Sequence, residues 1–102
     1  MRRGSILHYV LGSRRLRMVV LTADRYNPTS GLIAPMWERA ADRALPAFLV
    51  PLGRQDWPTA AFIDLSGTRR LEEEAVTGAA GQLSAETLSR LSTAVRHYLD
   101  AN

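Results

Sequence analysis

The sequence predicts an α+β fold that is mainly β: a compact, strongly bent sheet of short strands closed by a C-terminal helix. Three observations lead there. Met18-Val19-Val20-Leu21 is the apolar run of a buried strand, with β-branched residues at its centre. Asn27-Pro28-Thr29-Ser30-Gly31 is the clearest turn in the chain and separates strand-like segments on either side. Leu88, Leu91, Val95 and Leu99 recur at helical spacing near the end of the chain and make one apolar stripe.

The elements follow in order. Residues 5–11 are apolar and aromatic and read as a strand. Gly12-Ser13-Arg14 is a tight connection to a second strand over residues 16–22, and the two make a hairpin. After the turn, Leu32-Ile33-Ala34-Pro35 reads as a third strand. Pro35 has no N–H to give to a ladder, which puts it at a sheet edge or at the strand's end. Residues 37–44 are polar and alanine-rich, enough for one or two helical turns. Residues 46–52 read as a strand, 53–56 as a loop and 60–65 as a fifth strand. Glu72, Glu73 and Glu74 read as a solvated face, and residues 78–81 as a flexible link. The helix is expected over residues 84–100, with Ser84 as its N-cap and Glu86 in the first turn, where the helix dipole favours an acid. No internal repeat and no domain boundary interrupts this order, so residues 1–102 read as one domain.

Composition narrows the function classes. Apolar residues make up 46% of the chain, enough to form a core. There is no cysteine, which excludes disulfides and thiolate metal sites. No apolar run reaches the roughly 18 residues that span a bilayer. Met1-Arg2-Arg3 and the apolar residues after it superficially resemble a secretory leader. That stretch is short, carries His8 and Tyr9, and runs into Arg14-Arg15 without a small-residue cleavage site, so a cytoplasmic location is expected. All 13 basic residues are arginine, and the formal net charge is +3. A GC-rich genome would account for the arginines. Phosphate recognition would use them, because one guanidinium donates two parallel hydrogen bonds to one phosphate.

The ordered segments resemble the MazF/PemK family of toxins. Arg3-Gly4-Ser5-Ile6 is similar to the family's opening Arg-Gly-acid-Ile strand. Residues 17–22, followed by Asp24, Tyr26 and Asn27, resemble its Arg-Pro-Val-Leu-Val-Val-Ser stretch with a downstream Tyr-Asn. Leu32 to Met36 resembles the strand that leads to the family's catalytic Thr or Ser. Phe62-Ile63-Asp64 resembles the strand with a characteristic Asp, and Gly81-Gln82-Leu83-Ser84 opens a similar closing helix. The resemblance implies a small SH3-like barrel of about five to seven strands closed by the C-terminal helix. It also implies a homodimer, a cognate antitoxin, and a type II toxin that cuts single-stranded RNA without metal or cofactor. The family's catalytic Arg slot falls on Leu16, between Arg15 and Arg17, and its Thr or Ser slot falls on Trp37. The loop between the first two strands is cut short.

Metal-free RNA cleavage by the 2′-hydroxyl requires stabilisation of a charged phosphorane and movement of two protons. Arginine suits the first task and not the second, since it does not deprotonate in proteins. The candidate catalytic residues are therefore Arg15 or Arg17 for the phosphate and Glu38 as the base. In a regular strand Arg15 and Arg17 point away from the face of Leu16, where the family's Arg slot falls; a one-residue bulge could swing one of them into the site. Arg14, Trp37 and Arg39 are the candidate RNA-binding residues, with Trp37 either stacked on a base or packed as a core or interface aromatic. Trp57 reads as packing; a catalytic role is open to His8 or His97, although a lone histidine is more often structural or exposed, and the two lack metal-site spacing. Two other functions stay open: a CcdB-like toxin that acts on DNA gyrase, and an inactive relative that binds RNA or a partner.

Overall fold

The structure is a computed structural model that describes residues 2–22, 31–38, 48–53, 55–56 and 61–98. The turn at 27–30, Tyr26, Arg39, Trp57 and Leu99 lie outside the described residues. Within them the chain forms β1 (Ser5–Leu11), β2 (Arg14–Val20), β3 (Leu32–Glu38), β4 (Leu49–Pro51), β5 (Ala61–Asp64), β6 (Arg69–Arg70), β7 (Val76–Gln82) and α1 (Ala85–Tyr98). The strands make one antiparallel sheet in the order β4-β5-β3-β2-β1-β7, with β6 paired to β3. The end strands β4 and β7 are not paired with each other, so the sheet is bent but open. Seven strands and a closing helix match the expected α+β architecture, without hydrogen-bonded closure into a barrel. No described helix is long and apolar enough to cross a membrane.

Strand alternation divides the core between the two faces of the sheet. Ile6, Val19, Leu21, Ala34, Met36, Val50 and Ile63 face one way and pack under Leu83, Leu91 and Val95 of the helix segment. Leu7, Tyr9, Met18, Val20 and Ile33 face the other way and pack with Leu71. The hairpin between β1 and β2 turns on two residues, with Gly12 at φ 63° in its first central position. That is the place where a type II′ turn needs glycine.

Helix α1 starts as expected. The Ser84 hydroxyl accepts the Thr87 N–H at 3.3 Å, which caps the first turn. Glu86 lies in that turn, and Arg96 and His97 lie in the last. The buried stripe is Thr87, Leu91 and Val95, with Leu88 packed beside it.

Three expectations need correction. Residues 78–81 are not a link; they belong to β7, which pairs with β1 from Ser5↔Gln82 to Tyr9↔Val76. Pairing with β1 overrides the low strand propensity of glycine and alanine here. Residues 37 and 38 are not helical, because β3 runs on through Trp37 and Glu38. Pro35 is neither at an edge nor at a strand end. It sits inside β3, in register with Met18 of β2. On the opposite side of β3 the partner changes there, from β6 at Leu32 and Ile33 to β5 at Met36, Trp37 and Glu38. A proline is tolerated where one ladder stops and the next begins.

Candidate nucleic-acid interface

The change of partner at Pro35 creates the site. β3 pairs with β2 over Met18, Val19 and Val20, and then leaves it. Beyond Pro35 the described part of β3 pairs with β5, while among the described strands Arg14, Arg15, Leu16 and Arg17 of β2 pair with β1. The two strands splay, and a cleft of about 710 Å³ opens between them. Arg15, Leu16 and Arg17 line it from β2, Met36, Trp37 and Glu38 from β3, with His8 and Asp56 completing the wall. Its volume falls within the roughly 300–1,000 Å³ of small-molecule sites.

Alternation explains which side chains point in. The β1–β2 register runs without a bulge from Ile6↔Val19 to Leu11↔Arg14. Arg15 and Arg17 therefore share the face of Val19, and His8, opposite Arg17, shares the face of Ile6. The two arginines reach the cleft by regular strand geometry. No bulge is needed to turn them there. Glu38 projects on the face of Met36. Leu16 and Trp37 belong to the opposite face and border the cleft through the gap between the strands. Arg15, Arg17, Glu38 and His8 are all exposed, so a ligand in the cleft meets them directly.

Trp37 is half-buried and held from two sides. Its indole N–H donates to Asp64 Oδ2 at 3.3 Å. The Arg14 guanidinium carbon lies 5.4 Å from its ring centroid, a cation–π arrangement. Asp64 also accepts the Ser66 N–H at 2.9 Å and caps the 3-10 turn Leu65–Gly67. The aspartate of the family-like strand is thus a positioning residue that fixes the Trp37 ring. Stacking on an aromatic face is worth about 1–3 kcal/mol per base and tolerates any sequence. Arg14 would have to move aside, or the base take the other face.

Asp56 is fixed at the far wall. Its carboxylate accepts the Ser84 N–H at 2.6 Å and the Ser84 hydroxyl at 2.7 Å, together with the Thr87 hydroxyl. The Gly53 N–H donates to the same Thr87 oxygen at 3.0 Å. Burial pushes the Asp56 carboxyl up, but the hydrogen bonds from Thr87 and Ser84 outweigh it and hold the group below its ordinary value of 3.8.

Of the residues expected from sequence, the structure brings Arg15, Arg17, Glu38 and Trp37 into one cleft and sets Arg14 on Trp37. Arg39 lies outside the described residues. Sequence reasoning left His8 as one of two possible catalytic histidines and passed over Asp56. His8 was accessible: a two-residue turn at Gly12-Ser13 sets Leu11 against Arg14, and counting back sets His8 against Arg17. Asp56 carried no local signal.

No protein-family model matches the chain, and neither does any curated protein. Solved structures do match. A mycobacterial endoribonuclease, solved in complex with its cognate antitoxin, superposes with a TM-score of 0.81 at 15% identity, covering 100% of this chain and 97% of its own. The fold is that of the MazF toxins. A second mycobacterial endoribonuclease gives a TM-score of 0.76 at 14% identity, over 98% of this chain and 91% of its own. The Mycobacterium tuberculosis toxin MazF-mt6 gives 0.69 at 18% identity, over 94% and 96%. The MazF fold thus spans the described sheet and helix, on a chain whose identity to each of these structures is below one residue in five.

Proposed function

We propose that this chain is the toxin of a type II toxin–antitoxin pair, a metal-independent endoribonuclease that cuts single-stranded RNA in the cytoplasm. The observation that carries the reading is the cleft at the β2–β3 splay, which gathers Arg15, Arg17, Glu38 and Trp37. The whole-length likeness to endoribonuclease toxins supports it. Arg15 and Arg17 grip the phosphate and offset the charge that grows on the phosphorane. Glu38 moves a proton at the reacting ribose, and Trp37 and Arg14 hold the adjoining nucleotide, with Arg39 added as a further RNA contact. A cognate antitoxin is the expected protein partner, as in the solved mycobacterial complex.

The test is a long, mixed-sequence single-stranded RNA incubated with the protein in chelator, with the cut ends sequenced. Discrete cuts are expected, and Arg15→Ala combined with Arg17→Ala should remove them by a factor of at least about a hundred, the cost of losing one transition-state donor. Intact RNA at high protein concentration rejects the reading and turns attention to gyrase and to partner binding.

A further inference from the structure

His8 sits where two cavities meet. One is the cleft described above. The other, about 310 Å³, is lined by His8, Tyr9, Val10, Arg15, Leu16 and Thr77. His8, Arg15 and Leu16 form the wall between them. A chain of nucleotides lying across that wall puts one nucleotide in each cavity and a phosphate beside His8 and Arg15.

The strand next door is shaped around this histidine. The β1–β7 ladder slips twice, between Ile6 and Leu7 and again between His8 and Tyr9. Bulges of this kind re-aim side chains beside active sites. The residue opposite His8 is Gly78, and a Cβ there would lie 3.9 Å from His8 Cδ2. With glycine at that position, no β7 side chain covers the ring from its partner position. On the other side His8 faces Arg17 across the β1–β2 ladder. The charged groups around the imidazole are thus Arg15 and Arg17 on β2, Glu38 on β3 and Asp56 at the far wall. The described residues of β7 bring no titratable side chain to it.

We infer that His8 is a catalytic residue of this cleft, the base that takes the 2′-hydroxyl proton from RNA bound across the two cavities. This rests on the ribonuclease reading above and moves the 2′ proton from Glu38 to His8, which faces Arg17 across the β1–β2 ladder. The O2′–phosphorus bond forms, the phosphorus–O5′ bond breaks, and a 2′,3′-cyclic phosphate remains. The 2′ proton passes to the imidazole. The leaving O5′ takes a proton from water at the open mouth of the cleft, and the imidazolium returns its proton to bulk solvent. Histidine changes charge between about pH 5 and 8, so it moves protons near neutrality.

The experiment compares the parent with His8→Gln and His97→Gln in metal-free cleavage across pH, alongside binding of the same RNA with 2′-O-methyl riboses. His8→Gln is expected to lose cleavage by a factor of 10²–10⁴, the usual worth of a positioned acid or base. It should bind the methylated RNA within about threefold of the parent and lose the acidic limb of the pH profile. Imidazole added to His8→Ala should restore part of the rate. His97→Gln, on the exposed last turn of α1, should match the parent. Cleavage by His8→Gln within threefold of the parent overturns the role of His8 and leaves the ribonuclease reading standing. A parent that cleaves nothing overturns both. Adenosine 3′-monophosphate supplies a readout without turnover. The chain has 2 histidines, and the ligand should shift the His8 imidazole resonances and leave those of His97 in place; no shift at His8 counts against the assignment.

Discussion

Asp56 shows how one side chain joins two parts of the chain. Its carboxylate is the acceptor for the first turn of α1, taking the Ser84 N–H, the Ser84 hydroxyl and the Thr87 hydroxyl. Those bonds hold its pKa below 3.8 in the folded state. The unfolded chain therefore binds the proton more readily, and the stabilisation is fully present above about pH 4. It is lost as pH falls through the lower folded value. Asp56→Asn is expected to lower stability at pH 7 by about 1–3 kcal/mol, the range for hydrogen bonds to a charged group. Urea melts at a series of pH values should show the gap narrowing as the parent is acidified below about pH 4. A gap that is constant with pH would mean that the carboxylate's charge contributes nothing. Arginines likewise divide by use. The Arg3 Nε donates to the Leu21 carbonyl at 2.6 Å and fixes the chain ahead of β1, and Arg90 pairs with Glu86 on the helix surface. Arg15 and Arg17 of β2 line the cleft instead.

At the scale of elements, β3 is the part that decides the site. Pro35 marks where it changes partner, and Gly67 of the 3-10 turn packs on the Pro35 ring. A Cβ at Gly67 would lie 2.8 Å from Pro35 Cγ and 2.9 Å from Cδ, closer than real contacts allow. Gly67→Ala is therefore expected to destabilise by about 1–3 kcal/mol, the cost of overpacking, and to disturb Trp37 through the Asp64 cap of the same turn. Denaturant melts read the first effect and tryptophan fluorescence the second; an unchanged melt would show that the ring and turn move apart freely. β3 also shows what the sequence carried and what it did not. The β1–β2 hairpin and α1 were readable because their signals are local: a glycine turn, an apolar run, a cap and a stripe. β7 was not, because Thr77-Gly78-Ala79-Ala80-Gly81 becomes a strand only by pairing with a segment some seventy residues earlier. Pro35 was misjudged because the rule against proline assumes an unbroken ladder on both sides of the strand. Arg15, Arg17 and Glu38 were named as candidates through likeness to a family, and His8 only as a possible lone catalytic histidine; that the four share one cleft depends on the register and on the splay at Pro35. Asp56 was not legible, since its partners Ser84 and Thr87 reach it only once the sheet has folded against α1.

For the molecule as a whole, the helix packs on one face of the sheet, and Asp56 ties its first turn to the wall of the cleft. Leu91 and Val95 close the core under that face. A homodimer is the expected assembly, because a two-fold axis would repeat the arginine surface and lengthen the track proposed for RNA. Sedimentation at micromolar concentration should give twice the 11.3 kDa mass of the chain. Monomer throughout that range would leave each cleft to bind RNA alone.

The splay at Pro35 has one more consequence. Where β3 departs, its described ladder with β2 stops at Met18, while Arg14 to Arg17 keep their ladder to β1. A bare strand edge is a template on which a second chain can lay itself down, the route by which sheets aggregate. Three of the four residues from Arg14 to Arg17 are arginine, and like charges on two such strands repel. On the proposed reading, the guanidinium groups that would grip a phosphate also oppose the joining of one copy's cleft strand to another's.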